Sequence, residues 1–230
     1  MTIYTFKPDK YSSHMKIISS LEQLLLLSKS RPFRILDVGC SKGFIGKSIS
    51  KKEVELYGIE YDKEDIKIAK KWYTGITAAD LDGKLPPYNR GFFDAIIFAD
   101  VLEHLKHPEQ TLSHFTPFLK KYGTIILSTA NVANLHVRLQ LLLGNFDYTE
   151  RGILDKTHLR LFTRKTFYSL ACNAGLTIVK EEFTPIPLPL VNPLFSEGKL
   201  LHLLHKANNL VSGTLPNLLS YQILLYCKKK

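Results

Sequence analysis

An α/β fold, built on a mostly parallel sheet with helices on both faces, is the architecture this sequence predicts. Three observations carry it. Short apolar runs recur at 33–38, 54–59, 76–79, 93–99 and 123–128, and segments of helical period stand between most of them. The first run leads directly into a glycine turn and a further helix. Strands that read as near-continuous apolar runs are buried on both sides, as in a parallel sheet between two helical layers. Two later runs, 176–183 and 221–227, bring the count of strands to seven.

The elements follow in order. Met15, Ile17, Ile18, Leu21, Leu24, Leu25 and Leu26 share a helical period over 12–28, which predicts an amphipathic helix stopped by Arg31-Pro32. After the strand at 33–38 come Gly39-Cys40-Ser41-Lys42-Gly43 and a helix to about residue 50. A helix is expected over 63–72, and another over 108–119 with Pro108 in its first turn. Residues 80–92 are too few for a strand-to-strand crossover with its own helix, so a loop is expected there. Beyond the fifth strand the pattern changes to a helix over 132–143 and a polar, turn-rich stretch over 144–163. Thr163 reads as the cap of a helix to about residue 174. A Pro- and Leu-rich insert, 185–219, separates the last two strands and holds a helix near 198–210. The expectation is one domain: an N-terminal helix (1–30), a core (31–130), a lid (131–163) and a C-terminal half (164–230).

The composition is that of a globular chain, with 45% hydrophobic and 23% charged residues. At 230 residues it buries a core large enough to need neither disulfide nor structural metal. A formal charge of +10 favours anionic partners. Cys40, Cys172 and Cys227 are odd in number and far apart, and no apolar run reaches the ~20 residues of a membrane span, so a reducing cytoplasm is the expected compartment.

The strand–glycine–helix unit is a nucleotide site by mechanism, because glycines let backbone approach a ligand beside a helix start. The dinucleotide fingerprint requires glycine at 41 and 44, where this chain has Ser41 and Phe44. Gly46-Lys47-Ser48 has the ending of a phosphate loop without its upstream glycine. What stands is Asp37-x-Gly39-x-Ser41-x-Gly43, with Glu60 following 23 positions after Asp37, where an acid accepts both hydroxyls of a ribose.

Together with Gly58-Ile59-Glu60-Tyr61-Asp62, Ala79-Asp80-Leu81 and the run from Phe93 through Asp100-Val101-Leu102-Glu103-His104-Leu105, this segment resembles the class I S-adenosylmethionine-dependent methyltransferases. The resemblance covers most of 30–183. It implies a Rossmann-like seven-stranded sheet with an antiparallel last strand, S-adenosylmethionine as donor and S-adenosylhomocysteine as product. By position it implies that Asp37, Gly39, Cys40, Ser41 and Gly43 line the methionine and ribose. Glu60, beside Tyr61, holds the ribose hydroxyls, Asp80 and Leu81 read the adenine, and Ala99 and Leu102 run beneath the sulfonium. Asp37 as a helix cap, and Asp82 in place of Asp80, are the alternatives at those positions. Asp94 reads as an anchor of its strand. Asp100-x-x-Glu103-His104 with His107 is similar to the ligand set of some metal-dependent relatives; the expectation here is that Glu103 and His104 order a loop and that no metal is bound.

Asp155-x-Thr157-His158-x-Arg160, followed by Phe162-Thr163, resembles a subgroup of these enzymes associated with sugar, polysaccharide, quinone or lipid modification. There the segment lies over the donor pocket. The resemblance implies His158 as the base for an attacking hydroxyl, oriented by Asp155; a structural pairing of His158 with Arg160 is the alternative. The expected activity is O-methylation of a small-molecule, sugar, quinone or lipid-linked acceptor. Pro86-Pro87-Tyr88 precedes the fourth strand instead of following it, and no Pro-Cys pair exists, which disfavours a nucleic-acid substrate. A nucleic-acid methyltransferase and a non-catalytic donor-binding module remain the rival readings. In the insert, Leu200, Leu201, Leu203, Leu204 and Leu210 face one way and Lys199, His202, His205 and Lys206 the other. That helix reads as a packing or homodimer surface, or as an acceptor mouth with peripheral membrane contact.

Overall fold

The computed structural model describes residues 9–49, 53–187 and 199–230; the side chains of 199–203 and 205 lie outside that description. Seven strands, β1 (Phe33–Val38), β2 (Val54–Glu60), β3 (Gly75–Ala78), β4 (Phe93–Ala99), β5 (Leu119–Ala130), β6 (Leu176–Thr184) and β7 (Gln222–Lys229), form one sheet in the order β3-β2-β1-β4-β5-β7-β6. β7 runs antiparallel to both neighbours, and the pairings from β3 through β5 are parallel. Chain order therefore reverses between β1 and β4, and a crevice opens outside the carboxyl ends of those two strands.

Each strand divides its side chains between two cores. Ile96, Phe98 and Leu36 face one side, where they meet Leu112 and Phe115 of α4 (Pro108–Phe115) and Phe167 and Leu170 of α6 (Arg164–Asn173). Ile35, Ala95 and Ile97 face the other, under α1 (Ser13–Leu27), α2 (Phe44–Ile49) and α3 (Lys63–Ala69). The pleat alone produces this division, since successive residues point to opposite faces.

Several helices are shorter than their apolar periods suggest. α1 ends at Leu27, with Ser28 as its cap, before Pro32 has any part in stopping it. α3 ends at Ala69 and not near residue 72. α4 stops at Phe115 because Pro117 follows, and a turn of 3₁₀ helix over Thr116–Phe118 hands the chain straight to β5. β5 thus begins at Leu119, four residues before the expected start. Its pairing with β4 jumps from Phe93↔Leu119 to Ala95↔Thr124 across a bulge. At the end of that bulge a Cβ on Gly123 would lie 2.9 Å from the Asp94 carbonyl. α5 (Leu135–Leu142) starts three residues late because the side chain of Asn134 caps it, accepting from His136 N. The connection from β3 to β4 carries no helix, as its length requires.

In the insert, α7 (Lys199–Thr214) is followed by α8 (Pro216–Leu219). The helix is longer than the stretch expected near 198–210. Of the residues assigned to its two faces, Leu200, Leu201, Leu203, Lys199, His202 and His205 have side chains outside the described set; Leu204, Leu210 and Lys206 are exposed. No helix among the described residues is long and apolar enough to cross a membrane.

Thr163 caps α6 as the sequence requires. Its Oγ1 accepts from Thr166 N at 3.2 Å, while Thr166 Oγ1 accepts from Thr163 N at 2.9 Å. Thr163→Ala removes half of this box and is expected to lower stability by about 1 kcal/mol in urea unfolding; a loss within error of zero would show that the packing of Phe167 alone holds the helix end.

Candidate active site

Asp37, Glu60, Asp80 and Asp100 all stand at the carboxyl ends of strands, or one or two residues beyond, along one edge of the crevice. Between them the chain leaves β1 through Gly39 (φ 74°), Ser41 (φ 45°) and Gly43 (φ 77°), three left-handed residues in a turn of five. The two glycines adopt that conformation without a side-chain clash. Ser41 is held there by two bonds: its amide donates to Glu60 Oε2 at 2.9 Å and its hydroxyl to Asp65 Oδ2 at 3.0 Å. These bonds hold a serine in a conformation that favours glycine.

Glu60 is buried and collects amides. Its Oε2 accepts from Ser41 N, and its Oε1 from Tyr61 N at 2.8 Å and Asp62 N at 2.9 Å. The Tyr61 side chain itself is exposed. Asp80 is exposed, with Oδ1 accepting from Asp82 N, while Asp82 Oδ1 accepts from Lys106 N and is committed to the loop after β4. Each aspartate thus accepts one amide; the bond of Asp80 is local and that of Asp82 reaches across to another loop, with Leu81 half-buried between them. Asp37 does not cap a helix: its Oδ2 accepts from the buried Tyr73 hydroxyl at 2.6 Å. Burial, with Glu60 nearby, pushes the Asp37 carboxyl up to about 7 in spite of that bond.

Two expected ligand contacts change character. The side chains of Cys40 and Leu102 are packed in the core, so these residues offer only backbone to a ligand. Ala99 is half-buried at the end of β4. Asp100 follows at φ 55°, its carboxylate clamped by Ser128 Oγ and Gln222 Nε2, each at 2.6 Å. Asp94 stands at the opposite end of β4, where Lys120 Nζ and the Arg34 amide bind it, and has no part in the crevice.

The segment 155–160 is brought to the same end of the sheet. The Glu103 carbonyl accepts from both Leu159 N (2.8 Å) and Arg160 N (2.9 Å), and Arg160 Nη2 donates to the Lys106 carbonyl at 2.6 Å. The rings of His104 and His158 meet edge-on with centroids 4.9 Å apart. His158 Nδ1 lies 3.0 Å from the Ile153 carbonyl. A carbonyl only accepts, so Nδ1 carries the proton and Nε2 keeps its lone pair. Burial, then His104, lowers the imidazole below its usual range, which leaves it neutral near pH 7. The orienting contact expected of Asp155 is thus supplied by Ile153. The Asp155 carboxylate is buried and accepts instead from Thr157 N and Thr157 Oγ1. Arg160 pairs with Lys106 and not with His158. Tyr73 and the Ser128–Asp100–Gln222 clamp escape the sequence, since each acts through a contact between distant segments; the Ile153 carbonyl, five positions from His158, escapes it because a backbone acceptor leaves no mark in residue type.

Residues 11–181 match the family model of the methyltransferase domain. This chain belongs to that family. Its fold is the class I fold: a SAM-dependent methyltransferase from Archaeoglobus fulgidus superposes with a TM-score of 0.63 over 96% of both chains at 17% identity. Among curated proteins, the ubiquinone biosynthesis O-methyltransferase of Chromobacterium violaceum is 28% identical over 107 residues, 43% of this chain and 44% of that protein. The chain thus spans less than half the length of that relative. The protein of the same name from Azoarcus sp. strain BH72 is 25% identical over 75% of this chain and 76% of that protein. The crevice fits the family's donor, S-adenosylmethionine: a side-chain-poor turn, a buried acid at the end of β2 and an exposed acid after β3 lie in one row. Among the described residues no cluster of His, Cys, Asp and Glu is placed to hold a metal ion. Glu103 points its carboxyl into the core and His104 turns to Thr157.

Glu103 is an ill-satisfied buried acid. Burial, with Asp100 beside it, pushes its carboxyl up to about 8, and Oε2 has no hydrogen-bond partner. A carboxyl raised in the folded state contributes stability that is complete below its ordinary range and lost as pH rises through 8. Glu103→Gln is therefore expected to flatten this loss, exceeding the native chain in stability by about 1–3 kcal/mol near pH 9. Urea unfolding at pH 6 and pH 9 checks it; parallel pH slopes for the two proteins would count against a protonated Glu103.

Proposed function

We propose that this chain transfers a methyl group from S-adenosylmethionine to a hydroxyl oxygen, with His158 as the base. The carrying observation is the placement of His158: the Glu103 carbonyl and the His104 ring bring a neutral imidazole, with Nε2 unprotonated, to the loop that follows β4. The bound donor supplies an activated methyl on a sulfonium. The chain's own work is alignment, worth many powers of ten when the reacting atoms are held in line. Glu60 and Asp80 anchor the nucleoside, the Gly39–Gly43 turn lies against the methionine part, and Nε2 of His158 takes the hydroxyl proton as the oxygen attacks. The Asp-x-Thr-His-x-Arg segment serves this reading as the acceptor-side lid.

For the acceptor we infer a ring hydroxyl of the quinone class carrying an apolar substituent. The names of the curated relatives support it. So does the lid: Leu139, Leu142 and Leu143 are 50%, 81% and 76% exposed, and Val137 is the single buried residue of α5. An apolar acceptor tail, or the surface of the bilayer that carries it, would cover such leucines. A sugar or nucleic acid would not.

Two outcomes test the reading. Glu60→Ala is expected to weaken binding of S-adenosylhomocysteine by about 2–4 kcal/mol, read by calorimetry; tighter binding of NAD by the native chain would remove the donor assignment. His158→Ala is expected to cut turnover of a hydroxylated quinone precursor about 10²-fold or more while donor affinity stays within twofold. In the native enzyme the rate should rise with pH through the His158 range, below that of a free imidazole, and then level off. Equal loss of rate and donor binding would make His158 a structural residue.

A further inference from the structure

The ring of Tyr73 fills a space that three glycines leave open. A Cβ on Gly46 would lie 2.4 Å from its Cε2, one on Gly43 3.0 Å from the same atom, and one on Gly58 3.1 Å from its Cδ1. Those glycines belong to α2, to the turn before it and to β2, so one ring is wedged beneath the whole exit from β1. The hydroxyl of that ring donates to Asp37 Oδ2 at 2.6 Å, and both residues are buried.

We propose that Tyr73 is the positioning residue of the donor turn: its ring sets the path of residues 39–46, and its hydroxyl ties down the Asp37 carboxyl beneath the turn that meets a cationic donor. The proposal rests on the donor-site reading above. The ionisable groups acting on Asp37 are Tyr73, from the segment before β3, Glu60, at the end of β2, and the Cys40 thiol within the turn; none is a cation. Burial and Glu60 favour the protonated acid, and the Tyr73 hydroxyl opposes both. Without that hydroxyl the carboxyl titrates at still higher pH, and the turn loses a negative charge over the neutral range.

Calorimetric titration of S-adenosylmethionine into the native protein, Tyr73→Phe and Asp37→Asn, each compared at the same pH, separates the possibilities. Tyr73→Phe keeps the ring, hence the packing, and is expected to bind the donor roughly tenfold more weakly at pH 7. The gap should narrow by at least half between pH 7 and pH 9, as the Asp37 carboxyl of the variant loses its proton, while Asp37→Asn stays weak throughout. Native affinity in Tyr73→Phe at pH 7, a gap that does not change with pH, or native affinity in Asp37→Asn would each overturn the proposal. A native protein that binds no S-adenosylmethionine at any pH would overturn the donor-site reading itself.

Discussion

Gly39 and Val101 approach so closely that a Cβ on the glycine would sit 2.7 Å from Val101 Cγ2. This contact joins the turns that leave β1 and β4, the neighbouring strands between which the chain order reverses. Everything at the crevice hangs on it. Because Gly39 carries no side chain, Val101 packs directly on its backbone and holds the two turns together, and acids at the ends of β2 and β3 stand along the same end of the sheet. Asp100, in a left-handed conformation, turns the second chain toward the first. The bonds from Ser128 on β5 and Gln222 on β7 keep it there. Strain in one residue is held by two strands it does not belong to.

The chain has 31 basic and 21 acidic residues, yet the buried charges at this end are acids. Asp37, Glu60, Asp65, Glu103 and Asp155 are all buried there. Burying carboxylates is expensive, and each is treated differently. Glu60 takes three amides, Asp65 takes the Ser41 hydroxyl, and Asp155 takes Thr157. Asp37 has the Tyr73 hydroxyl and still stands near 7. Glu103 accepts from Ala130 N at a long 3.3 Å, and stands near 8. The ends of the crevice therefore differ: on the β2 side amides and hydroxyls donate to the carboxylates, and on the lid side a raised acid shares its loop with the carbonyl that holds the segment of the neutral imidazole. A site that binds a cation and takes a proton from a hydroxyl has use for that difference.

Much of this was legible without coordinates. Period and apolar runs located all seven strands and most of the helices, because each reports local burial. The glycine turn and Glu60 were legible because a backbone that must approach a ligand leaves few residue types free to stand there. Helix ends were less so. α4 and α5 each gave up residues to a capping or proline signal that the apolar period overran, and the β4–β5 bulge left no trace in the alternation. Cys40 and Leu102 could be placed near the crevice, but not seen to turn inward.

By itself, then, the sequence determined the layer architecture, the position of the nucleotide turn and the acids that follow the first strands, since each of these depends on residues adjacent in the chain. Tertiary structure decided what those residues do. Which carbonyl orients His158, why serine stands at position 41, and why Tyr73 lies beneath three glycines are set by contacts across 5 to 36 positions. The lid's hold on Glu103 spans more than 50. The longer of these contacts exist only once the sheet has formed. No local pattern encodes them, because either partner alone is chemically ordinary.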